Sequence, residues 1–137
     1  LPLYGDGSAV RDYLYVDDHA AGIDLVLHHG ESGKAYNLGA RLEATGVEVA
    51  ERILDLLGKP RALMTFVTDR PGHDYRYSVD PSRAEALGWK RAWDFPSGLA
   101  QTVDWYVKNT DWWRAVREGQ AFKGHLEQWY TRKQEKR

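Results

Sequence analysis

Cysteine is absent from the 137 residues, and methionine occurs once. Without thiols there is no disulfide, no thiolate metal site and no cysteine nucleophile, a usage compatible with a reducing compartment. No apolar run approaches the ~20 residues of a membrane-spanning helix. No basic, then apolar, then small-residue leader stands at the front. Charge of one sign is lacking too. Lys and Arg number 19 against 20 Asp and Glu, a net charge of -1, so no bulk positive field draws the chain to nucleic acid or to a membrane. The expected location is the cytoplasm. The chain also opens at Leu1-Pro2-Leu3-Tyr4 without an initiator Met, and the expectation is that it forms part of something longer.

Signatures of catalysis are equally scarce. No G-x-G-x-x-G cradle for a dinucleotide follows a strand, since Gly5 and Gly7 are followed by Val10 where a third glycine is needed. None of the eight Tyr has a Lys four residues on, and no G-x-S-x-G is present. The five His do not suit a metal. His28 and His29 are adjacent and point about 100° apart on a helix, His19 and His125 are isolated, and there is no H-E-x-x-H.

With 42% hydrophobic and 28% charged residues, the chain suits a single domain with one modest core. Arg11 to Val16 reads as a strand, after which Asp17 or Asp18 would cap a helix ending at Gly30. A second strand is expected at Ala35–Gly39. Thr45 and Glu48 have capping-box spacing, ahead of a helix through Leu57 that Gly58 stops. Leu63–Val67 and Tyr75–Val79 read as strands on either side of a loop at 69–74. Pro81 to Leu87 is a short helix behind Asp80, and Leu99, Val103 and Tyr106 mark the inner face of a helix from about Pro96 to Lys108. The remainder, from Asp111, reads as helical and ends in a charged tail. Most of the six Trp are expected in packing. The pattern is α/β, with about four short strands against the ~5–6 of an average sheet. A helix such as Ala20–Leu27 has little within this chain to cover.

Arg70 sits in the Pro-Gly loop with Asp69, His73 and Asp74. A guanidinium there can donate a planar fork to phosphate oxygens, or simply pair with a neighbouring aspartate in a solvated turn. Arg11 poses the same choice beside Asp12. Tyr4 and Tyr130 stand among polar residues and could line a cleft.

Leu-Pro-Leu-Tyr-Gly-Asp-Gly (1–7), Arg-Asp-Tyr-Leu-Tyr-Val-Asp-Asp-His (11–19) and Tyr-Asn-Leu-Gly (36–39) resemble the C-terminal half of extended short-chain dehydrogenases acting on nucleotide sugars. UDP-glucose 4-epimerases share the Arg-Asp-Tyr segment. Asp-Arg-Pro-Gly-His-Asp-Tyr-Arg-Tyr (69–77), Leu-Gly-Trp (87–89) and Thr-Val-Asp-Trp-Tyr (102–106) are sharper, and together resemble the dTDP-glucose 4,6-dehydratases. The resemblance runs from residue 1 to about 130 but covers less than half of such an enzyme.

It implies an NAD-dependent lyase making dTDP-4-keto-6-deoxyglucose, a precursor of rhamnose and other deoxysugars. NAD takes a hydride from C4 of the glucosyl ring, water leaves across C5–C6, and the hydride returns to C6. The NAD loop and the catalytic residues would lie in an N-terminal half outside this chain, so the isolated chain is expected to be inactive. Residues 1–137 would form the C-terminal nucleotide-sugar-binding region: a fragment of the Rossmann domain plus the small α/β substrate domain, with residues 15–40 packing on the NAD-binding sheet. Position by position, Tyr4 matches a residue near the nucleoside, Arg11 and Arg70 match arginines on the diphosphate, His73 shares the Arg70 loop, and Tyr130 matches a tyrosine closing over the phosphates. The complete enzyme would be a homodimer. Gly46 stands where the family usually has Asn, which bears on base preference. A UDP-sugar epimerase or related dehydratase, and a non-catalytic nucleotide-sugar-binding module, are the alternatives.

Overall fold

The computed structural model describes residues 1–119, 122 and 124. They fall into two compact units, residues 1–101 and a second from Thr102 onward. The fold is α/β with very short strands. In order, the elements are β1 (Pro2–Tyr4), β2 (Val10–Asp12), α1 (Val16–His29), β3 (Glu43–Thr45), α2 (Gly46–Leu56), a 3-10 turn at Arg61–Leu63, β4 (Thr65–Val67), β5 (Arg76–Tyr77), α3 (Ser82–Ala86), α4 (Phe95–Lys108) and α5 (Thr110–Glu118). β1 pairs with β4 in parallel. β2 is central in a second sheet, antiparallel to β3 and parallel to β5.

Several expectations shift in detail. The strand at Arg11–Val16 ends at Asp12, and the helix begins at Val16 behind Tyr15, with no side-chain cap. Ala35–Gly39 is irregular, not a strand. Both edges of β2 are already occupied, by β3 and β5. Instead, the Asp12 carboxyl oxygens accept from Ala40 N at 3.0 Å and Leu42 N at 2.9 Å. Those amides flank Arg41, which is left-handed at φ 53°. Its guanidinium reaches Glu85 at 2.6 Å and Asp80 at 2.9 Å.

Asp18 is not a cap either. It is buried, and its carboxyl oxygens accept from Ala92 N at 2.8 Å and Trp93 N at 3.0 Å, while its main-chain carbonyl accepts from the Trp89 indole at 3.0 Å. Asp18 thereby fastens the 89–93 loop to α1. The Thr45–Glu48 capping box forms as expected. Glu48 N donates to Thr45 Oγ1 at 3.2 Å, and Thr45 N donates to Glu48 Oε2 at 2.7 Å.

The core of the first unit is small-grained: Ala40, Ala44, Ala50, Leu54, Ala84 and Trp89 are buried, and Pro81 is fully enclosed. Close approach takes the place of bulk. A Cβ at Gly22 would come within 2.6 Å of Leu38, and one at Gly98 within 3.2 Å of Tyr15. Large apolar residues stay outside. Val16, Ile23 and Leu27, spaced to share one face of α1, are 66%, 54% and 77% exposed. The packing role expected of the tryptophans holds for Trp89, but Trp105 and Trp112 are exposed, meeting edge to face at 5.3 Å within the second unit. Tyr106, expected on an inner face, is half exposed.

Two outcomes follow for stability. Replacing Asp18 with Ala removes the acceptor of two part-buried amides and is expected to cost about 1–2 kcal/mol, read from denaturant unfolding. Glu48 is held below the usual carboxylate range by the Thr45 amide and then the Thr45 hydroxyl. Its contribution is therefore complete above the ordinary glutamate value of about 4.3 and is lost as pH falls through the depressed folded value. Thr45→Ala should destabilise by about 1 kcal/mol at neutral pH. Glu48→Gln should flatten the acid limb of a melting-temperature profile.

Candidate anion-binding site

Four of the five residues expected at a site lie on neighbouring elements: Tyr4 ends β1, Arg11 is the middle of β2, and Arg70 and His73 belong to the loop between β4 and β5. Tight turns bring these strand ends together. Gly5 and Gly7, at φ 59° and 74°, fold the chain back after β1, with Gly5 N donating to Val67 O at 2.9 Å and Gly7 N to Tyr4 O at 3.0 Å. Gly7 is required sterically as well, since a Cβ there would lie 2.5 Å from Val47.

Arg11 is the centre of the cluster. Nη1 donates to Val10 O at 2.6 Å and Tyr75 O at 3.3 Å, and Nη2 donates to Asp74 O at 2.9 Å and lies 2.9 Å from His73 Nε2. The guanidinium carbon stacks 4.5 Å above the Tyr77 ring centroid. The expected alternative, pairing with Asp12, does not occur, because Asp12 is engaged by Ala40 and Leu42. Arg11 is thus a half-buried cation held by carbonyls, an imidazole and a ring. No carboxylate neutralises it among the described residues. Arg41, Arg61 and Arg76, by contrast, all stand in ion pairs.

His73 is engaged at both nitrogens. Its Nδ1 lies 2.7 Å from Asp69 Oδ1, and its ring meets the Tyr4 ring edge-on at 6.0 Å. Arg70 is exposed, and only its main-chain N–H bonds to Asp69, at 2.8 Å. Its guanidinium forms no ion pair among the described residues, so the solvated Arg–Asp turn is not what this loop makes of it. The charges of Arg11 and Arg70 both act on the Tyr77 hydroxyl. The hydrogen bond it donates to Asp74 pushes the phenol above its usual value, desolvation adds to this, and the two guanidinium charges pull the other way. Tyr130 lies outside the described residues.

The sequence reading missed Asp69 and Tyr77 as members of this cluster. The His73–Asp69 spacing of four residues was a usable signal for the first. The second depends on β2 and β5 pairing in parallel, which puts Arg11 opposite Tyr77. Gly46 takes on a concrete meaning too. A Cβ there would stand 3.2 Å from the Gly7 carbonyl, so a side chain at this position would press on the turn that follows Tyr4. Clefts elsewhere, of about 350 Å³ between α2 and the start of α4 and about 580 Å³ beside Arg41 and Trp89, share no residue with the cluster.

Chemically, two arginines that stand in no ion pair among the described residues, beside an aromatic wall, suit an anion joined to a flat ring. A Tyr77→Phe variant should lose one late-ionising tyrosine from an alkaline absorbance titration. Sign and window are set by the raised value. Stability from the Tyr77–Asp74 bond is present below the ordinary tyrosine value of about 10 and disappears as pH rises through the folded one.

The family model for GDP-mannose 4,6 dehydratase matches residues 1–102. A probable dTDP-glucose 4,6-dehydratase of Sinorhizobium fredii is 46% identical over 126 residues, which are 86% of this chain and 36% of that protein. The crystal structure of the dTDP-glucose 4,6-dehydratase DesIV from Streptomyces venezuelae, with NAD and TYD bound, superposes with a TM-score of 0.81 at 45% identity, covering 85% of this chain and 36% of that one. A UDP-glucose 4-epimerase from Thermotoga maritima, with UDP-glucose, gives 0.74 at 26% identity, covering 80% and 35%. The chain spans little more than a third of the length of these relatives.

Proposed function

The chain belongs to the GDP-mannose 4,6 dehydratase family, and on that footing we propose that it is the nucleotide-diphosphate-holding part of a dTDP-glucose 4,6-dehydratase. One observation carries this reading: Arg11 and the Arg70 loop meet at the ends of β1, β2, β4 and β5, beside Tyr4, with both guanidinium charges free of carboxylate partners among the described residues. The identity of 46% to a probable dTDP-glucose 4,6-dehydratase supports that substrate over the UDP-sugars, since the epimerase neighbour stands at 26%.

In this proposal Arg70 forks onto the diphosphate, Arg11 supplies a fixed positive charge behind it, and Tyr4 flanks the base. Holding the nucleotide leaves the glucosyl ring oriented for chemistry done elsewhere, and orientation is itself a large part of catalysis. The residues of this chain do not fit NAD: there is no glycine-rich dinucleotide loop, and no step of hydride transfer is assigned to them. NAD belongs to the proposal as the cofactor of the complete lyase, held by a dinucleotide-binding portion. The exposed Val16, Ile23 and Leu27 face of α1 is where we place contact with that portion, in line with the expectation for residues 15–40. Homodimer formation and a cytoplasmic site of action are part of the same proposal. Among the described residues, no helix is long and apolar enough to cross a membrane.

Calorimetric titration with dTDP and with UDP tests the reading. dTDP is expected to bind more tightly than UDP, and Arg70→Ala to weaken dTDP binding by about 1.5–3 kcal/mol, the range for hydrogen bonds to charged groups. Equal affinity for the two nucleotides would turn the assignment toward a UDP-sugar enzyme. An unchanged dissociation constant in Arg70→Ala would remove that residue from the site.

A further inference from the structure

We infer that Asp69 is a positioning residue for the anion site, acting through the tautomer of His73 on Arg11. A guanidinium nitrogen is always a donor. Arg11 Nη2 lies 2.9 Å from His73 Nε2, so Nε2 must be the nitrogen that carries the lone pair. The proton of the neutral ring therefore sits on Nδ1, where it is donated to Asp69 Oδ1 at 2.7 Å.

The same Asp69 Oδ1 also accepts from Arg70 N at 2.8 Å, with the carboxyl itself about half exposed. A carboxylate at Nδ1 selects one tautomer, and that tautomer creates the acceptor that holds Nη2. The ring cannot turn away cheaply, because its side chain is only 12% exposed and packs edge-on against Tyr4. Without the acceptor at position 69, the Nε2–H tautomer sets N–H against N–H, and Arg11 loses one of the four anchors on its terminal nitrogens. Both arginines answer to Asp69, since Arg70 takes its main-chain bond from the same oxygen.

The ligand in this inference rests on the nucleotide reading above, but the tautomer does not. The test therefore uses two readouts on the same nitrogen-labelled chain: long-range proton–nitrogen NMR correlations of His73, and calorimetric titration with dTDP. The wild-type chain is expected to show His73 protonated at Nδ1. Asp69→Ala is expected to lose that signature and to bind dTDP about tenfold more weakly, the equivalent of one hydrogen bond. Asp69→Asn keeps an oxygen able to accept from both Nδ1 and Arg70 N, and is expected to restore the tautomer and most of the affinity.

A wild-type ring protonated at Nε2 would overturn the relay whatever dTDP does. Weaker binding in Asp69→Ala with the Nδ1 signature intact would overturn it as well, since the effect would then reach the ligand by another route. Failure of the wild-type chain to bind dTDP, with the Nδ1 signature present, would sink the nucleotide reading and with it the positioning role.

Discussion

Strands of two or three residues satisfy few main-chain amides, and every amide taken out of water needs an acceptor. In this chain aspartate side chains take over much of that work. Asp12 serves the amides of Ala40 and Leu42, Asp18 those of Ala92 and Trp93, Asp69 that of Arg70, Asp80 that of Ser82, and Asp94 that of Ser97. Asp12 and Asp18 thereby stitch distant loops to β2 and α1, while the other three close local turns. A core made largely of alanines then suffices, because close approach at Gly22 and Gly98 brings helices and loops together without large side chains.

The same division of labour shapes the candidate anion site. With Asp12 and Asp74 committed to other partners, Arg11 keeps its charge while its geometry is set by carbonyls and by His73. Elsewhere guanidinium groups are spent on ion pairs, as at Arg41 with Asp80 and Glu85, Arg61 with Asp55, and Arg76 with Glu43. Those pairs are exposed and weakly stabilising. A cation that stays uncompensated but rigid is the more useful one for binding, since neither a competing carboxylate nor much side-chain entropy has to be displaced.

Family membership fits these local features without being needed to see them. The turn Gly5–Gly7, the parallel pairing of β2 with β5, and the Asp69–His73–Arg11 contacts are properties of this chain itself. What the comparisons add is scale: the chain spans little more than a third of the length of the relatives it matches. Val16, Ile23 and Leu27 leave one apolar face of α1 exposed.

The sequence by itself determined the local devices, because their signals are short-range. The Thr45–Glu48 capping box, the helices around 20–27 and 96–108 and the turn at Pro71-Gly72 all depend on side chains within a few residues of one another. The motif at 69–77 also singled out Arg70 and His73 before any geometry was known. Tertiary structure alone decided what the aspartates do. Asp18, read as a helix cap, became a buried anchor for a loop more than 70 residues away. Ala35–Gly39 is irregular, and the chain just after it is tied to β2 through the Asp12 carboxyl and not through a strand ladder. Whether Arg11 met Asp12 or His73 was equally beyond local reading: alternation on a strand sends neighbours 11 and 12 to opposite faces, and which partner waits on each face depends on chain pairing 60 residues away in sequence.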